Sequence, residues 1–452
     1  MTSPLTLPTT APVDDVLADL EWRGLLAQTT ERAALAADLS AGPVTLYCGF
    51  DPTADSLHLG NLVPLLALRR FQLAGHRPIA LLGGATGFIG DPTGRTTDRV
   101  LLTHETIERR VAVLRAQLAH FLDTAPGPAQ AVFADNLDWT RDLSVLDFLR
   151  DVGAHFPVSL MLARDSVRTR LASGGLSFTE LSYQLLQSMD YVELYRRYGC
   201  RLQIGGSDQW GNITAGLDLL RRVEGVDRVR AHALTFPLVT EASGQKIGKS
   251  TGGGSVWVDP AMTSPYSLYQ YLLNVDDRDV GSYLRLLTLV GRSEVADLDR
   301  ETAERPQARS AQRRLAREVV ALVHGAPEVM RVEEASSALF GRGSLAELDE
   351  AQLLAALSEA PSIRTGPGLA GWVDLLAVGL GLSRSDARRA LADGGVYVNN
   401  ARLDPAAQGP AEGDWLYGRL LVLRRGKRSV LVVERHADGV PDTDTGADGA
   451  GH

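Results

Sequence analysis

Two short polar segments of this 452-residue chain have side chains and spacings suited to binding phosphate. The first, His58-Leu-Gly-Asn61, places two polar side chains three positions apart at the start of an apolar stretch with helical periodicity. A helix N-terminus offers unpaired N–H groups to anions, and Gly60 lets a nucleotide approach the backbone. The second, Lys246-Ile-Gly-Lys-Ser250, lies in a Gly- and Ser-rich stretch. Two lysines on such a loop could stabilise charge on a leaving pyrophosphate.

Each segment also has an ordinary explanation when it is taken alone. The first could be an exposed helical turn with a merely polar histidine, and the second a solvated basic loop. The run from Gly83 to Gly90 lacks both the G-x-G-x-x-G of dinucleotide-binding folds and the Lys-Ser/Thr of a P-loop. The choice between a phosphate-binding role and these ordinary explanations therefore depends on the elements that position the two segments.

The surrounding pattern predicts a doubly wound, Rossmann-like α/β fold with a parallel sheet. β-rich stretches at 44–50 and 78–82 enclose a helical stretch at 62–74, and a third at 200–204 precedes a helical stretch at 213–220. Strand, helix and strand in this order form βαβ units. Because ligands of such sheets bind beyond the carboxyl ends of the strands, the fold would bring the two polar segments to one site.

The remaining stretches predict further domains. A helical approach at 13–39 is interrupted at Gly24, and amphipathic stretches at 267–290 and 307–323 predict a helical domain. After a linker at 361–368, two short helices and strands near 396–398, 415–417 and 430–433 predict a small α+β domain. We predict a catalytic domain with its helical approach at 1–240, the lysine loop and helical domain at 241–360, the small domain at 361–436, and a disordered tail at 437–452.

Composition limits the class of protein. The chain is 44% hydrophobic and 22% charged, which allows a sizeable core, and its net charge of -9 argues against a wholly basic nucleic-acid-binding protein. The two cysteines, Cys48 and Cys200, stand in no metal-ligand or disulfide pattern. No leader pattern and no run approaching ~20 apolar residues is present, so we expect a cytosolic protein without membrane association.

The two segments resemble the HIGH and KMSKS signatures of class I aminoacyl-tRNA synthetases. The run from Tyr47 to Asn61 is similar, within that class, to bacterial tyrosyl-tRNA synthetases. Four more segments extend the resemblance from about residue 40 to 260, with a weaker likeness to about 435. They are Gly83-Gly-Ala-Thr-Gly87, Gly90-Asp-Pro-Thr-Gly94, Ser182-Tyr-Gln-Leu-Leu-Gln-Ser-Met-Asp190 and Leu202-Gln-Ile-Gly-Gly-Ser-Asp-Gln-Trp-Gly-Asn212.

The resemblance implies a tyrosine–tRNA ligase that first forms tyrosyl-adenylate from tyrosine and ATP and then transfers the tyrosyl group to its tRNA. It implies a homodimer, with Mg²⁺ accompanying the pyrophosphate and no dedicated metal site in the protein. The implied tyrosine-binding residues are Tyr47, Asp91, Asn136, Tyr183, Gln187, Asp190 and Gln209, with Gln203 at the border. The implied ATP-binding residues are Cys48, Gly49, Asp51, His58, Gly60, Gly206, Asp208 and Lys249. The implied catalytic residues are Thr53, His58, Asn61, Lys246 and Lys249.

The physical chemistry of these residues agrees with the resemblance. A phenol in an apolar slot needs a hydrogen-bond donor and an acceptor, which Tyr47 and Asp190 supply. Phenylalanine would leave both groups unpaired; tyrosyl-tRNA synthetases are themselves the established example of such rejection, by a factor of about 10⁵. Tyr183, Gln187 and Asp190 follow the spacing of one helix face. The alternatives are an ordinary polar helix face and, for Cys48, a buried structural thiol in place of a group near the ribose.

Two departures from the signatures are present. Asn61 stands where the first signature has its final histidine, and Ile-Gly replaces Met-Ser in the second. Asn61 keeps a polar side chain at its position, and the second signature keeps both of its lysines on a loop, so each departure retains what its role in the signature requires. Arg95 and Arg99 could reach the phosphates or the tRNA end, although a surface role is equally compatible.

Basic residues concentrate in the predicted small domain, where ten basic residues face seven acidic ones between positions 369 and 435. Arg384, Arg388 and Arg389 fall on its second helix, a suitable geometry for phosphate contact. The region resembles a small RNA-binding domain shared by a ribosomal protein and bacterial tyrosyl-tRNA synthetases; a solvated basic face is the alternative. Residues of the helical domain that could extend an RNA surface are Arg313, Arg314 and Arg317.

Two rival functions stay open from the sequence. A tryptophan-specific synthetase of similar fold is disfavoured by Tyr47, Asp190 and the C-terminal domain. A non-catalytic RNA-binding paralogue is disfavoured because His58, Asp208 and both signature lysines are retained.

Overall fold

The structure is a computed structural model that describes most of the chain between residues 15 and 435. The residues outside the description are 1–14, 92–101, 164–166, 169–170, 173–174, 239, 241–247, 249–253, 340–342, 359, 366–370, 427–428 and 436–452. The predictions made for Arg95, Arg99, Lys246, Lys249 and the tail therefore lie outside the described residues. Two compact units are formed, one by 1–263 with 271–325 and the other by 264–270 with 326–452.

The first unit is built on a sheet with the strand order β1-β6-β5-β2-β3-β4. Its strands are β1 Gln28–Thr29, β2 Thr45–Phe50, β3 Arg77–Leu82, β4 Val132–Asp135, β5 Cys200–Gly206 and β6 His232–Phe236. Strands β2 to β6 run parallel, whereas β1 pairs with β6 antiparallel. The chain fills one side of β2 with β3 and β4 and the other with β5 and β6, so the topological switch point lies beside β2. The predicted doubly wound fold is confirmed.

Helices accompany these strands and form the helical part of the first unit. They are Val16–Trp22, Arg32–Ala41, Leu62–Leu73, Thr86–Ile89, His104–Phe121, Leu137–Thr140, Val145–Asp147, Val158–Leu162, Phe178–Tyr198, Trp210–Glu224, Val280–Leu287, Arg292–Glu304 and Ser310–His324. A further helix, Pro265–Leu273, has residues in both units. The helix Phe178–Tyr198 begins with a capping box in which the Ser177 hydroxyl accepts from the Glu180 N–H and the Glu180 carboxylate accepts from the Ser177 N–H.

The helical stretch predicted at 267–290 forms two helices, because a polar turn divides it. Helices Pro265–Leu273 and Val280–Leu287 are separated by residues 274–279. In this turn the Asp276 carboxylate accepts from the backbone N–H of Arg278 at 2.9 Å and pairs with its guanidinium. An aspartate that satisfies backbone N–H groups locally competes with the helix, which explains the break.

Two buried arginines join the N-terminal helices to the helical part of the first unit. Arg70 is 1% exposed and donates to the Thr288 carbonyl at 2.5 Å, and Arg23 donates to the Val290 carbonyl at 3.1 Å. Asp19 pairs with Arg23 at 2.8 Å and lies 3.6 Å from Arg70. Burial lowers the pKa of Arg70 to about 9. These contacts satisfy carbonyl groups at the end of the helix Val280–Leu287, as helix termini require.

The second unit contains a sheet with the order β7-β11-β10-β8-β9. Its strands are β7 Ser362–Arg364, β8 Val396–Val398, β9 Ala401–Arg402, β10 Leu420–Arg425 and β11 Ser429–Glu434. Helices Trp372–Gly379 and Arg384–Ala392 pack on Leu421, Leu423 and Val433, whereas Ala326–Leu339 and Glu350–Leu357 pack on Leu420, Val422 and Val432. The two sets alternate along the strands, so both faces of the sheet are covered.

The small α+β domain is confirmed, but one of its predicted strands is wrong. Leu416 forms only an isolated bridge with Leu420, residues 417–419 form a turn in which Tyr417 has a φ of 52°, and the strand begins at Leu420. The strands at 396–398 and 429–434 agree with the prediction. The four-part division of the chain stays a prediction. Among the described helices, none combines the length and apolarity needed to cross a bilayer.

Candidate active site

A cavity of about 380 Å³ opens at the topological switch point of the first sheet. It lies at the carboxyl ends of β2 and β5, where doubly wound sheets bind ligands. Its lining includes predicted tyrosine-binding and ATP-binding residues, namely Tyr47, Cys48, Gly49, Asp51, Thr53, Asn61, Asp91, Asn136, Tyr183, Gln187, Asp190, Gln203, Gly206 and Gln209. The fold thus brings residues from distant parts of the sequence to one site.

The glycines after β3 allow the cavity walls to approach closely. A Cβ on Gly83 would lie 2.1 Å from a carboxylate oxygen of Asp51, and one on Gly84 would lie 2.2 Å from a carboxylate oxygen of Asp135. Instead, the Gly84 N–H donates to Asp135 at 3.1 Å. A side chain at either glycine would displace these carboxylates, so the glycine pair is part of the construction of the site.

Asp190 is the most deeply buried carboxylate of the cavity lining, with 2% of its surface exposed. Asn136 donates an amide N–H to one of its oxygens at 3.1 Å, and the indole N–H of Trp139 donates to the other at 2.9 Å. Burial raises the pKa of the Asp190 carboxyl to about 8, although these two donors lower it and the carboxyl of Asp51 raises it further. Asp190 is therefore a fixed hydrogen-bonding group with a perturbed proton affinity.

Three polar atoms of other residues in the cavity lining are buried without a hydrogen-bond partner among the described residues. They are the hydroxyl of Tyr47, the amide oxygen of Gln187 and the amide oxygen of Gln203. The Tyr47 ring packs edge-on against Tyr191 with centroids 5.4 Å apart, which holds the hydroxyl in place. Burial and the Asp190 charge raise the pKa of Tyr47, so it stays a neutral donor. Orphaned buried polar atoms in a cavity indicate a polar ligand.

Asp51 organises the wall between the cavity and the following loop. Its carboxylate accepts from the Thr86 hydroxyl at 2.7 Å and from the Tyr183 hydroxyl at 2.8 Å. The backbone of Thr53 is held in turn by Arg110, whose guanidinium donates to the Thr53 carbonyl at 3.1 Å and to Asp55 at 3.1 Å. The loop that presents Thr53 to the cavity is therefore braced from the helix His104–Phe121.

Asp91 and Gln209, both predicted at the tyrosine, bond directly to each other. The Gln209 amide donates to the Asp91 carboxylate at 2.6 Å, and Asn212 donates to the Gln209 amide oxygen at 3.2 Å. Among the other predicted residues, Cys48 is a buried free thiol whose pKa burial raises to about 12. A thiol with this pKa is not a nucleophile at neutral pH, and its role near the ribose stays a prediction.

The signature segment 58–61 is held by its own side chains. The Asn61 amide oxygen accepts from the His58 backbone N–H at 3.0 Å, at the start of the turn Leu59–Asn61. Asn61 lines the cavity, but His58, Gly60 and Asp208 do not. The His58 ring instead packs against Trp257 with centroids 6.2 Å apart. Asp208 is exposed beside Gly206, where a Cβ on the glycine would lie 2.7 Å from its carboxylate.

A short antiparallel ribbon connects this segment to the residues that follow the lysine loop. The Leu59 N–H donates to the Val256 carbonyl and the Val258 N–H donates to the Leu57 carbonyl, both at 2.8 Å. The Ser56 hydroxyl accepts from the Asp259 N–H at 3.0 Å. The first signature is thus connected through main-chain hydrogen bonds to residues 256–258, which follow the second signature in the sequence; Lys246 and Lys249 themselves lie outside the described residues.

The predicted RNA-binding arginines lie in the second unit, on the exposed face of the helix Arg384–Ala392. Arg384 pairs with Asp374 at 2.6 Å and Arg389 with Asp386 at 2.5 Å. Arg388 is exposed and has no ion-pair partner in the part of the chain that the structure describes. In the first unit, Arg314 is engaged by Glu294 and Glu318.

Sequence reasoning missed two residues of the site, Thr86 and Trp139. Thr86 lines the cavity, donates to Asp51 and accepts from Asn136 at 3.1 Å. It belongs to the run Gly83-Gly-Ala-Thr-Gly87, so a signal was present. Trp139 follows β4 and had no comparable signal. The described residues contain no cluster of three or more His, Cys, Asp or Glu that could hold a metal ion.

Comparisons with known proteins identify the family of this chain. Residues 39–341 match the family model of class I tRNA synthetases (W and Y), and residues 352–433 match the tyrosine–tRNA ligase SYY-like C-terminal domain. The chain is 56% identical over 427 residues to a tyrosine–tRNA ligase of Nocardia farcinica, covering 93% of this chain and 99% of the relative. It is 56% identical over 422 residues to a tyrosine–tRNA ligase of Streptomyces coelicolor, covering 93% and 99%.

A solved structure shares the fold at lower identity. The C-terminally truncated mitochondrial tyrosyl-tRNA synthetase of Aspergillus nidulans aligns with a TM-score of 0.65 and 30% identity, over 73% of this chain and 95% of that one. The chain belongs to the tyrosine–tRNA ligase family of class I aminoacyl-tRNA synthetases.

Proposed function

We propose that the cavity at the switch point carries out both steps of tyrosine–tRNA ligation. In the first step the tyrosine carboxylate attacks the α-phosphorus of ATP, and the bond to pyrophosphate breaks. In the second, a hydroxyl of the terminal adenosine of tRNA attacks the tyrosyl carbonyl, and AMP leaves. No covalent enzyme intermediate is required, so the protein contributes positioning and charge stabilisation.

The observation that carries the proposal is the set of polar groups at the deep end of the cavity. The unpartnered Tyr47 hydroxyl and the Asp190 carboxyl group, which Asn136 and Trp139 hold in place, supply a donor and an acceptor in the cavity lining. A phenol satisfies both groups at once, whereas the side chain of phenylalanine leaves both unsatisfied in a buried site. The amide oxygen of Gln187 is available to the substrate ammonium group.

The remaining lining of the cavity suits ATP. It includes Thr53 and Asn61, and the glycines at 49 and 206 leave room for the ribose and adenine. We assign His58, Lys246 and Lys249 to the phosphates because of their signature positions and because the ribbon ties residues 256–258, which follow the lysines in the sequence, to the segment 57–59. Mg²⁺ would accompany the pyrophosphate and neutralise part of its charge.

The tRNA is assigned to the second unit and to surface arginines. Arg384, Arg388 and Arg389 present three cations on one exposed helix of a domain with excess positive charge. Such a surface contacts phosphates without reading bases. The cytosol, where tRNA and ATP are both present, is part of the same proposal.

A homodimer is also proposed. Large apolar side chains are exposed between residues 145 and 178, among them Leu146 at 78% and Phe178 at 75%. Exposed apolar groups concentrated in one region are typical of protein interfaces. Sedimentation at micromolar concentration should give a dimer, and Leu146→Asp should shift it towards the monomer; a monomeric wild-type protein would contradict the assignment.

ATP–pyrophosphate exchange tests the proposed function. Exchange that depends on tyrosine is the expected result. Exchange with tryptophan alone would indicate a tryptophan-specific enzyme. A protein that catalyses no exchange, whichever amino acid is supplied, would be an RNA-binding paralogue. Lys249→Ala should lower the rate of adenylate formation far more than the affinity for tyrosine, because the lysine acts on charge that develops at the phosphates. Equal losses in both quantities would contradict its assigned role.

A further inference from the structure

Gly248, between the two signature lysines, is held from three directions. Its N–H donates to the Tyr271 hydroxyl at 3.2 Å, and its carbonyl accepts from the Val256 N–H at 2.8 Å. A Cβ at Gly248 would lie 3.1 Å from the Leu59 Cβ and 3.4 Å from the Gly60 nitrogen, so its backbone packs directly on the first signature segment. Its φ of 81° favours glycine, which fixes a sharp local path for the chain.

We propose that the Tyr271 hydroxyl is a positioning residue that fixes the lysine loop for adenylate formation. This inference rests on the function proposed above and extends it to a residue outside the cavity lining. Tyr271 acts through Gly248 and does not need to touch tyrosine or ATP.

The covalent chain transmits this anchor to the lysines. Consecutive Cα atoms are about 3.8 Å apart, so Lys249 is one such step and Lys246 two steps from the anchored glycine. Lys246 and Lys249 lie outside the described residues, and it is enough that the chain leading to each of them starts from a fixed Gly248. Each residue of a loop has two rotatable backbone dihedrals, so the positional restraint from an anchor is lost within a few residues of it.

The anchor itself has rigid support. Tyr271 lies on the helix Pro265–Leu273, half-buried next to the fully buried Leu272. Its hydroxyl also lies 3.4 Å from the hydroxyl of Tyr283, a side chain with 2% of its surface exposed. The helix and the buried Tyr283 hold the Tyr271 hydroxyl in one place. The hydroxyl in turn holds the Gly248 N–H in one position, as preorganised sites require.

Removing only this hydroxyl should affect the chemical step. Charge builds on the pyrophosphate oxygens as the bond to the α-phosphate breaks, and loosely placed lysines stabilise that charge less well. Tyrosine binds at the other end of the cavity and should be unaffected. We expect Tyr271→Phe to lower the kcat of tyrosine-dependent ATP–pyrophosphate exchange about fivefold, the effect of one lost neutral hydrogen bond, with the Kd for tyrosine unchanged.

Tyr269→Phe is the matched control on the same helix. The Tyr269 hydroxyl is buried and donates to Glu333 at 3.2 Å, so the control also loses a hydroxyl and a hydrogen bond. It should unfold at a temperature as low as that of Tyr271→Phe, or lower, and should exchange pyrophosphate at the wild-type rate. Equal exchange rates of Tyr271→Phe and Tyr269→Phe would overturn the proposal, as would a loss of tyrosine affinity in proportion to kcat.

A double-mutant cycle gives a second measurement. Gly248→Ala forces a side chain against Leu59 and should lower kcat by displacing the anchored backbone. If Tyr271 acts through Gly248, the loss of kcat in the double variant is smaller than the product of the two single losses; independent effects would overturn the proposal. A wild-type protein without tyrosine-dependent exchange contradicts the proposed function itself, whereas an active wild type with an unaffected Tyr271→Phe contradicts only the anchor.

Discussion

The indole N–H of Trp139 donates to the Asp190 carboxylate across 2.9 Å, although 51 residues separate the two in sequence. On its other side, the Trp139 ring carries the guanidinium of Arg197, 5.4 Å from the ring centroid. The tryptophan thus connects a surface cation to the carboxylate at the deepest point of the cavity. A buried acceptor with two fixed donors has one orientation, which is what recognition of a substrate hydroxyl requires.

Trp139→Phe should weaken tyrosine recognition. The variant keeps an aromatic ring but removes the N–H, so one oxygen of Asp190 loses its donor inside a buried site. The KM for tyrosine should rise about fivefold to tenfold, while the KM for ATP stays unchanged. Trp22→Phe is the control, because the Trp22 ring contacts Arg23 and Arg292 and does not line the cavity. Equal effects of the two variants on tyrosine would remove Trp139 from the recognition site.

The raised pKa of Asp190 predicts a specific pH dependence of stability. The carboxyl holds its proton up to about pH 8 in the folded protein but only to about pH 4 when unfolded. The folded state therefore binds more protons in this window, so the free energy of unfolding falls as pH rises from about 4 to about 8. Asp190→Asn cannot ionise. Its unfolding temperature should fall less than that of the wild type between about pH 6 and about pH 9; parallel curves would contradict the raised pKa.

Arg70 should be essential for stability and not for chemistry. Replacing it with alanine removes the donor that lies 2.5 Å from the Thr288 carbonyl, leaves that carbonyl only the Arg23 donor at 3.4 Å, and opens a cavity beside Asp19. We expect a loss of about 3 kcal/mol, measured by urea unfolding. Arg32→Ala removes an exposed ion pair of 2.7 Å with Glu21 and should cost less than about 1 kcal/mol. Similar small losses in both variants would show that the buried arginine is dispensable.

Arg388 should contribute to tRNA binding without affecting adenylate formation. Reversing its charge with Arg388→Glu should raise the KM for tRNA roughly fivefold and reduce the salt dependence of binding by about one phosphate contact. ATP–pyrophosphate exchange, which requires no tRNA, should keep its wild-type rate. Arg300→Glu makes the same charge change on the helix Arg292–Glu304. If that control raises the KM for tRNA equally, the effect is one of net charge and not of a defined surface.

Much of the fold could be predicted because its strands are short apolar runs with turn residues at their ends. The spacing of Tyr183, Gln187 and Asp190 was enough to place three side chains on one face of a helix, and all three line the cavity. The roles assigned to the individual site residues stay predictions. Where periodicity was the only guide, as for the helical stretch at 267–290, it did not locate the turn at Asp276 that separates two helices.

Contacts between distant residues could not be predicted from spacing. Nothing near Trp139 indicates that its N–H meets Asp190, since the contact depends on how helix Phe178–Tyr198 lies beside β4. The same is true of His58, whose ring packs against Trp257 instead of lining the cavity. A sequence pattern identifies the elements of the fold, whereas such contacts arise only when those elements pack.

Discrimination between tyrosine and phenylalanine by Tyr47→Phe tests the central claim most directly. The variant keeps the ring that packs on Tyr191 and removes only the unpartnered hydroxyl. The measurement is the ratio of kcat/KM for tyrosine to that for phenylalanine in ATP–pyrophosphate exchange. We predict that the ratio falls about tenfold or more, through a loss of activity with tyrosine and little change with phenylalanine. An unchanged ratio would contradict the assignment of this cavity as the tyrosine site.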